Sequence, residues 1–160
     1  MGRKIRYLGM LVVVLGIVSL VIGAGFIGLA AQKNSYVTST LRQQKVTLGL
    51  TKEQIANGEV VDNTQKAQIA AETLNKHLQS IAGGTYGDLM ALNKTGKYDP
   101  TDTKDLTYTQ GLNMENSLNL AVLSFGVIQE TMATGAALIV IGIAVGATGF
   151  MLFKLGKKEA

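Results

Sequence analysis

The chain contains no cysteine and only one histidine, His77, and few of its residues are charged. Without cysteine it has no disulfide, no thiolate metal site and no thiol nucleophile. His77 has no second histidine or cysteine with which to hold a metal ion, and a triad would need further partners. The sequence therefore predicts no enzyme and no cofactor. It predicts that His77 is a partly buried side chain at the edge of a helix stripe, and that it is a candidate polar site.

Two long runs carry no charge at all, residues 7–31 and residues 131–153. A helix of 23 residues rises about 35 Å, which exceeds the roughly 30 Å of a hydrocarbon layer. Both runs are therefore predicted to be transmembrane helices. The first could also be a cleaved signal peptide, because Gly28 and Ala30 are small enough for a cleavage site. Its 25 residues exceed the roughly 7–15 of a signal peptide's apolar region, which favours a retained anchor.

Glycine recurs at every seventh position in both runs. Seven residues of α-helix drift by only about 20°, so these glycines share one face. Small residues let two helix backbones come close in lipid. The sequence leaves open whether the faces join two helices of one chain or separate copies. The predicted helix-packing residues are Gly9, Gly16 and Gly23 in the first run and Gly135, Gly142, Gly146 and Gly149 in the second.

The basic residues lie beside the two runs. Residues 1–6 hold three cations, and residues 154–160 hold three lysines and one glutamate. Residues 32–130 hold nine basic and ten acidic residues, a net charge of −1. The positive-inside rule then predicts that both termini are cytoplasmic and the middle is extracytoplasmic. The middle has no basic excess for nucleic acid. An exported domain without cysteine favours a prokaryotic plasma membrane.

The middle of the chain shows several helix signals. Thr51 and Gln54 form a capping-box pattern. Residues 64–82 are predicted to form a helix that Asn63 or Thr64 caps and the Gly83-Gly84 pair ends. Its predicted apolar stripe comprises Ala67, Ala70, Leu74, Leu78 and Ile81. A short helix is predicted to open at Thr85. The remaining predictions are a continuation of the first helix over 32–44, an extended segment over 45–50, a polar loop over 93–111, and a helix from Leu112 into the second run.

Glu130 is the only acidic residue next to an uncharged run. A carboxylate inside lipid would indicate an ion pathway. The uncharged run after Glu130 is long enough to span by itself, so this residue is predicted to lie at the outer boundary. The alternative is an oligomeric channel with Glu130 near its outer mouth.

Several motifs resemble an uncharacterised family of small two-span bacterial membrane proteins. They are His77, the Gly83-Gly84-x-Tyr86 motif with Leu89, and the residues Ser117-Leu118, Val122 and Phe125-Gly126-Val127. The resemblance covers roughly residues 60–149 and implies an architecture without an established function. Members sometimes carry the label of an aromatic ring-opening dioxygenase. The residues here do not support that label, because a non-haem iron site of that kind takes two histidines and a carboxylate.

Together these features predict an all-α membrane protein: an antiparallel two-helix transmembrane hairpin with a small, mostly helical extracytoplasmic domain inserted between the spans. The protein is expected to be a non-enzymatic structural or accessory subunit that binds other membrane proteins through its glycine faces and its extracytoplasmic domain. Its expected partners are the lipid bilayer and other membrane proteins or further copies of itself. The predicted segments are a cytoplasmic basic head over 1–6, a span over 7–31, the extracytoplasmic domain over 32–130, a span over 131–153 and a cytoplasmic tail over 154–160.

Overall fold

The computed structural model describes residues 2–92, 96 and 98–158. Over these residues the chain is helical and contains no strand. It divides into two compact units: unit 1 comprises Met1–Asn34 and Val127–Ala160, and unit 2 comprises Ser35–Gly126. The helices are α1 (Gly2–Gln43), α2 (Lys52–Ala56), α3 (Thr64–Ala82), α4 (Tyr86–Leu92) and α5 (Thr103–Lys158).

Helices α1 and α5 are each long and apolar enough to cross a membrane. They contain 42 and 56 residues, which correspond to about 63 Å and about 84 Å of helix. Within the most apolar 18-residue stretch of each helix, only 11% of the residues are buried inside the structure. A core helix of a soluble protein is mostly buried, so the exposed apolar surface of α1 and α5 distinguishes them from such helices.

Unit 2 is built around α3, whose predicted ends are confirmed. The Asn63 side chain accepts a hydrogen bond from the Lys66 N–H at 2.9 Å, and Gly83 ends the helix in the left-handed conformation with φ of 81°. One difference concerns Ile81, which is 41% exposed although it fits the predicted stripe. The buried apolar residues of this unit are Val60, Val61, Ala67, Ala70, Ala71, Leu74, Leu78, Ala82, Tyr108, Leu118, Ala121 and Phe125.

The alternating residues 45–50 form turns rather than the expected extended segment. The Val46 N–H donates to the Leu41 carbonyl at 3.1 Å, which closes the end of α1, and Lys45 there has a φ of 51°. The Leu50 N–H then donates to the Thr47 carbonyl at 3.1 Å. An extended segment would leave its backbone groups without a neighbouring strand to pair with, whereas these turns satisfy them locally.

The predicted polar loop is shorter than expected, because α5 begins at Thr103 rather than near Leu112. Residues 93–95 and 97 of that loop lie outside the described residues. Asp102 caps α5: its Oδ1 accepts hydrogen bonds from the N–H groups of Lys104 at 2.7 Å and Asp105 at 3.3 Å. A side-chain acceptor at this position satisfies helix N–H groups that have no partner within the helix.

Helix α4 begins with a reciprocal cap whose contribution to stability is expected to depend on pH. The Thr85 hydroxyl and N–H both donate to Asp88 Oδ2, at 2.8 Å and 2.7 Å. These hydrogen bonds, the hydroxyl first, lower the pKa of Asp88 below its ordinary value of 3.8. The cap therefore contributes fully above pH 3.8 and is lost as the pH falls through the lower folded-state pKa. An NMR titration should place the Asp88 midpoint below 3.8, and Thr85→Val should raise it. An unchanged midpoint in the variant would contradict the assigned cause.

Candidate helix-packing seam and binding groove

In unit 1, α1 and α5 meet along a line of glycines, which we call the glycine seam. The buried residues of α1 fall at every seventh position: Gly2, Gly9, Gly16, Gly23 and Ala30. The buried glycines of α5 have the same spacing: Gly135, Gly142, Gly149 and Gly156. Contacts join Gly9 to Gly149, Gly16 to Gly142 and Gly23 to Gly135, so the residue numbers rise along one helix as they fall along the other.

The seam brings one backbone directly against the other. A Cβ atom placed on Gly16 would lie 2.6 Å from the Gly146 nitrogen and 2.8 Å from the Gly142 carbonyl oxygen. A Cβ on Gly149 would lie 2.5 Å from the Val13 nitrogen. These atoms belong to the opposing backbone and cannot rotate away as a side chain could. Only glycine fits these positions without separating the helices.

One polar contact crosses the seam. The Ser19 hydroxyl donates a hydrogen bond of 2.8 Å to the Leu138 carbonyl oxygen, which lies on α5. Such interhelical hydrogen bonds contribute about 0.6 kcal/mol on average in membrane proteins. The bond therefore adds modestly to the stability of the pair, in the same register that the glycine contacts define.

The predicted helix-packing residues do not all sit in the seam in the same way. A Cβ on Gly16 would lie close to the nitrogen and the Cα of Gly146, at 2.6 Å and 2.7 Å. A Cβ on Gly146 itself would meet nothing within 4 Å. The seam also contains Gly2 and Gly156, which are not among the predicted helix-packing residues. A Cβ on Gly156 would lie 2.7 Å from the Gly2 carbonyl oxygen. Both continue the seven-residue spacing, but they lie beyond the charged residues that bound the uncharged runs.

Unit 2 contains an open groove of about 590 Å³, within the size range of ligand pockets in proteins. Three of the large side chains on it are well exposed: Tyr36 at 69%, Met114 at 54% and Leu120 at 63%. Threonine, serine and glutamine side chains are interspersed among the apolar ones. The lining residues come from two stretches of unit 2: Tyr36, Val37, Thr40, Leu41, Gln44, Lys45, Val46, Thr47 and Leu48, and Met114, Ser117, Leu118, Leu120, Ala121 and Ser124.

The two candidate polar residues are not brought together. His77 lies on α3 in unit 2 and is exposed rather than partly buried as expected, because its position falls outside the buried stripe of that helix. Glu130 lies on α5 in unit 1 and is also exposed. No ion pair within the described part of the chain involves Glu130.

The aspartates before and at the start of α5 act as local acceptors for backbone groups. Asp99 Oδ1 accepts from the Thr101 hydroxyl at 2.6 Å and from the Thr101 N–H at 2.8 Å, which lowers the pKa of Asp99 below its ordinary 3.8. The buried Asp105 accepts from the Asp99 N–H at 2.8 Å. Across the described residues, no three histidine, aspartate or glutamate side chains gather into a group that could hold a metal ion.

Comparisons with known proteins leave the family of the chain open. No protein-family model matches it. No curated protein and no solved structure matches it either. The resemblance to two-span bacterial membrane proteins therefore stays a prediction.

Proposed function

We propose that this protein is a non-enzymatic structural or accessory subunit of the plasma membrane. In this proposal α1 and α5 form an antiparallel transmembrane hairpin, both termini are cytoplasmic, and residues 32–130 form an inserted extracytoplasmic domain. Two features support it: the exposed apolar surface of both long helices, and the confinement of the basic excess to the chain segments beside them. An exposed apolar helix surface is expected of a segment that lies in lipid. The position of the basic residues agrees with the positive-inside rule.

The glycine seam supports an anchoring role for unit 1 and leaves partner binding to unit 2. Close backbone packing drives helix association in lipid. In this chain the glycine surfaces of α1 and α5 already pack against each other. The hairpin is then a complete anchor that needs no partner helix to cover its glycines. Binding of another protein falls instead to unit 2, where the groove remains open.

The composition of the groove suits a protein segment. Exposed apolar side chains such as Leu120 and Met114 provide the contact area. The Thr40 and Ser117 hydroxyls donate to the carbonyls of the preceding helix turn, and their oxygens can still accept hydrogen bonds from a partner. Grooves of this mixed character bind amphipathic helices through side chains spaced along one face. We therefore propose that the groove receives an apolar segment of another membrane protein or of a second copy of this chain.

The alternative of a channel needs several copies. The seam brings the α1 and α5 backbones into direct contact at Gly16 and Gly23, which leaves no space for a pore between the helices of one chain. A conducting path would have to form between hairpins, with Glu130 near its outer mouth.

Paired substitutions on α5 test the accessory function. Leu120 lines the groove and is 63% exposed, whereas Leu123 is 65% exposed and does not line it. The full chain is purified in mild detergent, and the stoichiometry of any bound protein or second copy is measured by light scattering. Leu120→Glu should reduce the bound fraction at least tenfold because it places a charge in the contact, and Leu123→Glu should leave it unchanged.

Two results would contradict the proposal: a monomer without partner at every concentration, or equal loss of the partner in both variants. Ion flux through liposomes that contain the pure protein, abolished by Glu130→Gln, would favour the channel instead.

A further inference from the structure

One end of unit 1 carries six cationic side chains from two helices. The seam places the start of α1 beside the end of α5, since a Cβ on Gly156 would lie 2.6 Å from the Arg6 nitrogen. All six side chains are exposed. They are Arg3, Lys4 and Arg6 on α1 and Lys154, Lys157 and Lys158 on α5, and we call them the cationic end.

Little negative charge compensates these side chains. Glu130 is the only acidic residue among the described residues of unit 1. It lies about 36 Å from Lys154 along α5, several Debye lengths away at physiological salt. In the sequence, Glu159 is the one acidic residue nearby, which leaves a net charge of +5 over residues 1–6 and 154–160. The described residues of unit 1 therefore do not neutralise the cationic end.

Two of the cations are held against aromatic rings. The Arg6 guanidinium lies 5.2 Å from the centre of the Phe153 ring, and so joins α1 to α5. The Lys154 ammonium lies 5.0 Å from the centre of the Phe150 ring. Both distances are within the roughly 6 Å of a cation–π contact. Cations and apolar rings thus lie at the same level, an arrangement suited to a boundary between headgroups and acyl chains.

Part of this charge is unfavourable for the helix itself. The first turn of α1 contains Arg3 and Lys4 and no acidic residue, although the N-terminal end of a helix carries a partial positive charge. A bound anion would remove this repulsion. At α5 the charges have the favourable sign, because Lys157 and Lys158 lie in its last turn. The α1 half therefore gains most from an external phosphate.

We infer that the cationic end binds the phosphate headgroups of anionic phospholipids in preference to zwitterionic ones. This inference rests on the proposed membrane placement of α1 and α5. A phospholipid fits better than free phosphate because its acyl chains can lie along the exposed apolar surface next to the charges, as at Leu8 and Leu155. It fits better than nucleic acid because the rings of Phe150 and Phe153 would lie in lipid.

Binding of acyl-labelled phosphatidylglycerol to the full chain in detergent tests the inference, with phosphatidylcholine of the same acyl chains as the comparison. Phosphatidylglycerol should bind at least tenfold tighter, and its affinity should fall as salt rises. Combined Arg3→Gln, Arg6→Gln and Lys157→Gln should weaken it by about 100-fold, whereas Arg3→Lys with Arg6→Lys should not. The matched control is Lys52→Gln, Lys76→Gln and Lys104→Gln, which removes the same charge from exposed sites of unit 2 and should have no effect.

A variant with fewer substitutions controls for loss of folding. Lys157→Gln with Lys158→Gln changes only residues beyond Gly156, and it should weaken phosphatidylglycerol binding by about 25-fold. Equal affinity for the two lipids, equal loss in the control variant, or displacement by millimolar inorganic phosphate would overturn the inference while leaving the membrane placement intact. A chain that stays soluble without detergent would overturn both.

Discussion

Gly16→Val is expected to separate α1 from α5. The new Cβ would lie 2.6 Å from the nitrogen and 2.7 Å from the Cα of Gly146, and valine adds two methyl groups beyond it. Overpacking of this kind costs about 3 kcal/mol at the upper end of the usual range. For a chain of this size we expect the melting midpoint in detergent, followed by circular dichroism, to fall by about 10 °C.

Gly28→Val is the matched control for this change. Gly28 lies on the same helix, is exposed, and a Cβ placed on it meets nothing within 4 Å. The two substitutions have the same effect on intrinsic helix propensity, so the difference between them isolates the interhelical contact. Equal melting midpoints for the two variants would show that α1 and α5 do not depend on the seam.

Val140→Lys is expected to prevent stable insertion of α5. Val140 is 67% exposed and lies near the middle of the uncharged run 131–153. In water a substitution at such a surface position changes stability by less than about 0.5 kcal/mol. At the centre of a membrane helix, lysine costs about 2.5–3.5 kcal/mol. The ratio of inserted to uninserted chain, measured by alkaline carbonate extraction, should therefore fall about 100-fold.

Leu123→Lys separates the effect of lipid from that of the lysine. Leu123 is 65% exposed on the same helix, eight residues before the uncharged run begins. It should leave insertion unchanged, because the proposed position of this residue is in water. If both variants inserted as well as the parent chain, the exposed surface of α5 would not face lipid.

The parts of the structure that were predictable from sequence depend on short-range physics. The cap at Thr51 needs only Gln54 three residues later, and both halves of this capping box are present. The end of α3 needs only Gly83, because glycine adopts the left-handed conformation without steric cost. The seven-residue spacing of Gly9, Gly16 and Gly23 placed them on one side of α1 before any partner was known.

The rest depends on contacts that a single sequence does not show. The start of α5 at Thr103 was hidden because Asp102 follows Pro100 in a polar stretch, where it resembled loop composition more than a helix cap. The groove could not be predicted, because it joins residues 36–48 to residues 114–124, which are far apart in the chain. Which glycines meet across the seam also depends on the tertiary pairing of α1 with α5.

The proposed function depends most directly on the side of the membrane on which each segment lies. Because the chain has no cysteine, Lys76→Cys in unit 2 and Lys157→Cys at the end of α5 each provide one reactive thiol. A membrane-impermeant maleimide applied to intact cells should label the first variant and should label the second only after the membrane is permeabilised. Labelling of both, or of neither, in intact cells would contradict a hairpin that carries residues 32–130 outside the plasma membrane.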